Sequence, residues 1–162
     1  FFMEAYNKER YHEAGLKEVF VQDNLSKSQK SVLRVLHIQN PFGQGKLVSV
    51  ILGAVLDVAV DVRKGSPHFG EHVAVELSEN NRRQFYVPPG FAHGFLVLSE
   101  SALFSYKCTE LYRPENEFCI KWDDPQIGIN WPTNTPIVSD KDQAGKTLAH
   151  LDSSLLPDYE SD

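Results

Sequence analysis

Four stretches carry residue types suited to acid–base or anion-binding chemistry. The first is Arg34, His37 and Gln39 in the run VLRVLHIQ. An imidazole inside an apolar run must find hydrogen-bond partners or stay neutral, because an unpaired polar group is costly there. An imidazole is also the side chain whose ordinary titration lies nearest neutrality, which suits proton removal. The plain alternative is a structural histidine, and spacing alone leaves both readings open. In a regular strand Arg34 and His37 face opposite ways, while His37 and Gln39 share a face. Both cations serve one pocket only if a bulge or bend falls between them. The second stretch is Pro88-Pro89-Gly90-Phe91-Ala92-His93-Gly94-Phe95, which holds His93 among small residues beyond a double proline. Gly90 and Gly94 permit close backbone approach, although a surface turn would explain this histidine equally well. The third is Tyr106-Lys107, where a packing tyrosine is the ordinary reading. The fourth is Ser139-Asp140-Lys141-Asp142, and most such charge runs are simply solvated.

Metal binding is a separate possibility. Small β-barrels hold Fe, Mn or Zn through a His-x-His pair, a carboxylate and a distant histidine. Here the matching spot reads His37-Ile38-Gln39, with one imidazole replaced by a neutral amide. A His37/His93 pair with one carboxylate is still geometrically possible, but no metal and no other cofactor is expected.

The elements that must position these residues are short β-favouring runs at 32–38, 46–52, 55–63, 72–77, 84–88, 95–98, 102–108 and 117–122. The 55–63 run has the cleanest period of two. Leu56, Val58, Val60 and Val62 form a plain core face; Val55, Asp57, Ala59, Asp61 and Arg63 form a mixed one. That second face suits solvent, a subunit interface or a pocket lining. Gly/Pro turns separate the runs, and seven to nine strands so spaced predict an all-β sandwich or jelly roll. Helices are expected only at 3–16 and near 142–149. Beyond Asp123 the chain becomes rich in Pro and Asp and loses its periodicity, which predicts an irregular segment packing over the barrel. No internal repeat or domain boundary interrupts residues 1–162, so a single domain is expected.

Composition narrows the classes further. Apolar residues make up 41% and aromatic residues 11% of 162, enough for one core of useful size. The net charge of −6 argues against nucleic acid as a bulk partner, while a small phosphorylated ligand needs only a few converging cations. Cys108 and Cys119 form no disulfide framework and read as two buried thiols in a reducing compartment. No run nears the ~18 apolar residues of a membrane span, and no membrane partner is expected. The opening Phe1-Phe2 suggests that further residues precede it, so the cytoplasmic assignment is a default.

With these residues in view, the sequence resembles the dTDP-4-dehydrorhamnose 3,5-epimerase family of nucleotide-sugar enzymes. The resemblance runs in order through Phe1-Phe2-Met3-Glu4, Phe20-Val21-Gln22-Asp23-Asn24-Leu25-Ser26, Leu33-Arg34-Val35-Leu36-His37-Ile38-Gln39 and Gln44-Gly45-Lys46-Leu47-Val48. It continues through Asp57-Val58-Ala59-Val60-Asp61-Val62-Arg63, the Pro88–Phe95 stretch, Tyr106-Lys107-Cys108, Ile129-Asn130-Trp131-Pro132 and Ser139-Asp140-Lys141-Asp142. The resemblance implies a cupin-type jelly roll with short peripheral helices, working as a metal-free homodimer. It implies His37 as base, Asp142 as the carboxylate orienting it, Tyr106 as opposing acid and Lys46 beside the sugar's C4 oxygen. Arg34 and His93 would line the substrate pocket, with Gln22 and Asn24 nearby. Glu4 would contact the nucleotide, in its own or the partner subunit's site. Two departures stand out: the family's Arg-Gly before Phe-Phe is absent, and Val35 stands where a glycine is usual.

This set suits epimerisation of a dTDP-4-keto-6-deoxyhexose at C3 and C5. A proton leaves a carbon next to the ketone and another returns on the opposite face, so the reaction needs a base, an opposed acid and a charge for the enolate oxygen. The rival readings are a C3-only epimerase or ketoisomerase on a related nucleotide sugar, a metal-dependent cupin enzyme, and a non-catalytic sugar-binding barrel.

Overall fold

The structure, a computed structural model, describes residues 1–160. Its nine strands are β1 (Gln22–Gln29), β2 (Leu33–Gln39), β3 (Lys46–Leu52), β4 (Ala54–Asp61), β5 (His72–Ser78), β6 (Gln84–Val87), β7 (Phe91–Val97), β8 (Ser101–Cys108) and β9 (Glu117–Ile120). They form two antiparallel sheets, ordered β1-β8-β3-β6 and β5-β4-β7-β2-β9. The chain is β-rich with short peripheral helices, but the barrel is not closed: among the described residues no strand ladder joins the two sheets.

Burial explains the arrangement. Val48, Val50 and Phe104 of the first sheet meet Val55, Phe95 and Val97 of the second in one apolar layer. The other face of the second sheet, including Leu36, Val58, Val60 and Leu96, is covered by Ile127, Trp131, Leu148 and Leu156 from the segment beyond residue 123. β4 is therefore buried on both sides, with Val55 and Val58 both at 0% exposure. The mixed face of its alternating pattern points between the sheets, where Asp57 is fully buried.

The elements differ from the sequence expectation in three places. β1 was not foreseen, because QDNLSKSQ is polar; it pairs with β8 along its whole length, from Gln22 opposite Cys108 to Gln29 opposite Ser101. β7 begins earlier than expected and takes in His93, so this histidine belongs to a central strand and not to a turn.

The expected helices shrink. The helix expected at 3–16 becomes α1 (Lys8–Glu13), capped by the Asn7 side chain, with Gly15 at φ 101° just beyond it. In place of a helix over 142–149 stands α2 (Asp140–Gln143), capped by Ser139. The chain then crosses the edge of β9, bridging Lys146 to Ile120, and enters a 3₁₀ turn at Leu148–His150. Gly145 permits that crossing, since a Cβ there would lie 3.2 Å from Cys119 Sγ and 3.3 Å from the Ile120 carbonyl carbon. Cys108 and Cys119 are both free thiols.

Candidate active site

The site begins with an irregularity in β2. Arg34 pairs with Phe95 and His37 with His93, so three steps along β2 match two along β7. The extra residue is a bulge, and it turns Arg34 and His37 into the same cavity despite their odd spacing. Val35 occupies the bulge fully buried, so no glycine is needed on β2 itself. The room comes from β7: a Cβ on Gly94 would stand 2.5 Å from the Arg34 carbonyl oxygen and 2.9 Å from the Val35 carbonyl carbon. The displaced Val35 backbone faces Asp142 and helps to hold its carboxyl below the ordinary range.

His37 lies between two carboxylates. Its Nε2 is 2.9 Å from Asp142 Oδ1, delivered by the first turn of α2, where the Ser139 hydroxyl accepts from the Asp142 amide. Its Nδ1 is 3.2 Å from Glu117 Oε1 on β9, too poorly aligned for a hydrogen bond, and has no other protein partner among the described residues. Burial by itself would lower the imidazole pKa, but Asp142 and Glu117 together outweigh it and raise the group above its ordinary 6.5. Burial pushes Glu117 the opposite way from its partners, yet contact with His37 and Lys141 brings it down to about 2. Asp142 is likewise lowered: burial opposes ionisation, and its hydrogen bond to His37 overrides that.

The cavity has a volume of about 500 Å³ and opens between the sheets. From β8, Tyr106 lines it; burial raises its hydroxyl pKa, keeping it protonated. From β3, Lys46 reaches in without a salt bridge or hydrogen bond among the described residues, and burial lowers its pKa. A cation placed in a cavity without a counter-charge is an electrostatic vacancy for developing negative charge. Among the described residues Arg34 meets no carboxylate, only the Ser28 hydroxyl at 3.3 Å. His93 is held by both oxygens of buried Asp57, at 2.9 and 3.0 Å, and stacks near Phe104. Gln22 and Asn24 line the cavity from β1, joined to each other at 3.1 Å.

Two residues singled out from the sequence lie outside the cavity. Gln39 shares the strand with His37 but is consumed by loop backbone, donating to Phe42 and Leu111 carbonyls and accepting from the Arg113 amide. Glu4 does not reach the cavity of its own chain and instead pairs with Arg10 at 3.0 Å. Sequence reasoning overlooked Glu117 and Tyr112 and left Asp57 without a role. Only the alternation in β4 hinted at Asp57, and nothing in the EFCI strand marked Glu117. Among the described residues no group of three His, Cys, Asp or Glu side chains is set to hold a metal ion.

The model of the dTDP-4-dehydrorhamnose 3,5-epimerase family matches residues 1–150. The chain belongs to this family. It is 53% identical to the dTDP-4-dehydrorhamnose 3,5-epimerase of Methanothermobacter thermautotrophicus over 91% of this chain and 82% of that protein. The Pseudomonas aeruginosa enzyme of the same name is also 53% identical, over 94% of this chain and 85% of its own. The crystal structure of dTDP-6-deoxy-D-glucose-3,5-epimerase from Legionella pneumophila Philadelphia 1, in complex with dTDP-4-keto-L-rhamnose, superimposes with a TM-score of 0.96 at 54% identity. It covers 99% of this chain and 86% of that one. For a 3,5-epimerase the cavity supplies an imidazole, a phenol and an unpaired ammonium around one space, the groups that enolisation next to a ketone requires.

Proposed function

We propose that this protein epimerises a dTDP-4-keto-6-deoxyhexose at C3 and C5, as a dTDP-4-dehydrorhamnose 3,5-epimerase. The observation that carries this reading is His37, backed by Asp142 at 2.9 Å, facing the same cavity as Tyr106 and the unpaired Lys46. His37 removes the proton next to the C4 ketone. Asp142 fixes its tautomer and stabilises the imidazolium that forms. Lys46 stands for the enolate oxygen at C4, where positive charge stabilises the transition state most. Tyr106 returns a proton to the opposite face. Arg34, with no carboxylate partner among the described residues, suits the diphosphate. His93, Gln22 and Asn24 complete the pocket wall. None of these steps calls for a cofactor.

The molecular frame belongs to the same reading: a cupin-type jelly roll forming one domain over residues 1–162, with an irregular segment from about 123, working in the cytoplasm as a homodimer. Support for the dimer comes from the first residues, where Phe1 and Phe2 are 99% and 96% exposed and Glu4 sits away from its own cavity. We assign Glu4 to the nucleotide in the partner's site. Among the described residues no helix is long and apolar enough to cross a membrane, and the net charge of −6 disfavours nucleic acid.

The test is to incubate the protein with dTDP-4-keto-6-deoxy-D-glucose and follow the sugar ring by NMR. Inversion at both C3 and C5 is expected, with activity undiminished by a chelator. Inversion at C3 alone would replace this reading with the mono-epimerase one, and dependence on added metal would replace it with a metal-dependent cupin reaction.

A further inference from the structure

Glu117 is not required by the reaction as set out above, yet it is the most heavily engaged carboxylate in the cavity. Its Oε1 stands 3.2 Å from His37 Nδ1, the nitrogen that Asp142 leaves free. Its Oε2 accepts from Lys141 Nζ at 2.7 Å and from the Tyr112 hydroxyl at 3.1 Å. β9 fixes the carboxylate, because Gln39 and Cys119 pair across β2 and β9 with Glu117 and His37 respectively. Lys141 and Asp142 are consecutive residues of α2, so one short helix presents both a carboxylate to His37 and a cation to the second carboxylate.

We propose that Glu117 is a positioning residue for the base: it forms the second arm of an Asp142–His37–Glu117 arrangement, and Lys141 and Tyr112 regulate how strongly it acts on the imidazole. This rests on the reading of His37 as base and deepens it. A base that must remove two weakly acidic C–H protons in succession gains driving force from a second nearby negative charge. The same charge retards loss of the proton already taken, so it must be moderated. Lys141, 65% exposed, does this by drawing on the far oxygen of Glu117, with Tyr112 beside it. The other titratable or charged groups near His37 are Cys119 on β9, His93 on β7, Tyr106 on β8, Lys46 on β3 and Arg34 on β2 itself, and none of them is a carboxylate.

The experiment reads His37 directly, by ¹⁵N-histidine NMR titration of the full chain without substrate, with the signal assigned from a His37→Asn variant. Glu117→Gln should move the His37 midpoint to lower pH, because a neutral amide no longer favours imidazolium. Lys141→Ala should move it to higher pH, because Glu117 then acts on His37 unopposed. In the Glu117→Gln background, adding Lys141→Ala should have a much smaller effect, as expected when one residue acts through the other. Unchanged midpoints in both single variants, shifts of the same sign, or an equal Lys141 effect in both backgrounds would each overturn the proposal. Lys141 lies on the surface, so its variant keeps the test open even if Glu117→Gln folds poorly. Because no turnover is measured, failure here is distinct from failure of the epimerase reading, which the product assay decides.

Discussion

At the scale of the residue, the proposed base, His37, is an imidazole whose affinity for its proton has been increased by its neighbours. The neutral form needed for proton removal fills only above a pKa raised beyond 6.5. The ascending limb of kcat/KM should therefore lie on the alkaline side of an ordinary histidine, and a limb below 6.5 would contradict the geometry. The same shift has a stability consequence. A group whose folded pKa is raised stabilises the fold below its unfolded value, and that contribution is lost as pH rises through the folded value. His37→Ala should accordingly weaken the protein more at pH 6 than at pH 9, as read by denaturant titration at the two pH values. Asp142→Asn should lower kcat by roughly 10²- to 10⁴-fold, the usual reach of acid–base assistance. A variant with wild-type kcat would remove Asp142 from the site.

Little of this residue-level pattern could be read in advance from spacing. His37 stood out as an imidazole in an apolar run, whereas Asp142 stood in a charge run whose ordinary reading is solvation, and its role came only through family resemblance, since it arrives from the far end of the chain. Glu117 gave no signal because a charged residue at the start of a short edge strand is ordinary. Its importance arises from β2 and β9 pairing, a non-local fact.

At the scale of the element, the site depends on the β2 bulge. Alternation showed that Arg34 and His37 need an irregularity between them to share a cavity. The family resemblance, with a glycine usual at this position, made Val35 look unfavourable for it. The solution lies on the neighbouring strand: Gly94 of β7 lets the bulged backbone approach, and Val35 packs with 0% exposure. Gly94→Ala would place a methyl group 2.5 Å from a carbonyl oxygen of β2, a backbone atom that cannot simply rotate away. Overpacking of this kind costs about 1–3 kcal/mol, and here it should also displace Arg34 and His37. Chemical denaturation should show that loss of stability, and kcat should fall even under conditions where the variant is fully folded. A stable, fully active Gly94→Ala protein would show that the bulge does not position the site. β1 was missed for a different reason: its polar residues face the cavity and solvent, so hydrophobic periodicity had nothing to report.

At the scale of the whole molecule, the second sheet is covered on both faces, by the first sheet and by the segment after residue 123. The loss of periodicity there was legible, as was its role as a cover. The open arrangement of the two sheets was not, because strand spacing does not say whether the last ladder closes. Residue 4 sets the molecular-scale prediction. If Glu4 serves the partner's nucleotide, mixing inactive Glu4→Ala and His37→Ala chains should restore activity. Each mixed dimer would then hold one site with an intact His37 and an intact Glu4 from its neighbour. With random pairing of two equal populations, recovery should approach about a quarter of wild-type activity. No recovery after subunit exchange would place Glu4 outside the partner's site or the dimer outside the mechanism.

The central claim is that one imidazole, held by Asp142, removes the protons next to the C4 ketone. Solvent-deuterium exchange measures that step without requiring complete turnover. With the substrate in D₂O, the wild-type protein should incorporate deuterium at both C3 and C5, and a folded His37→Ala variant should incorporate it at neither. Exchange at the wild-type rate in that variant would contradict the assignment of His37 as the base.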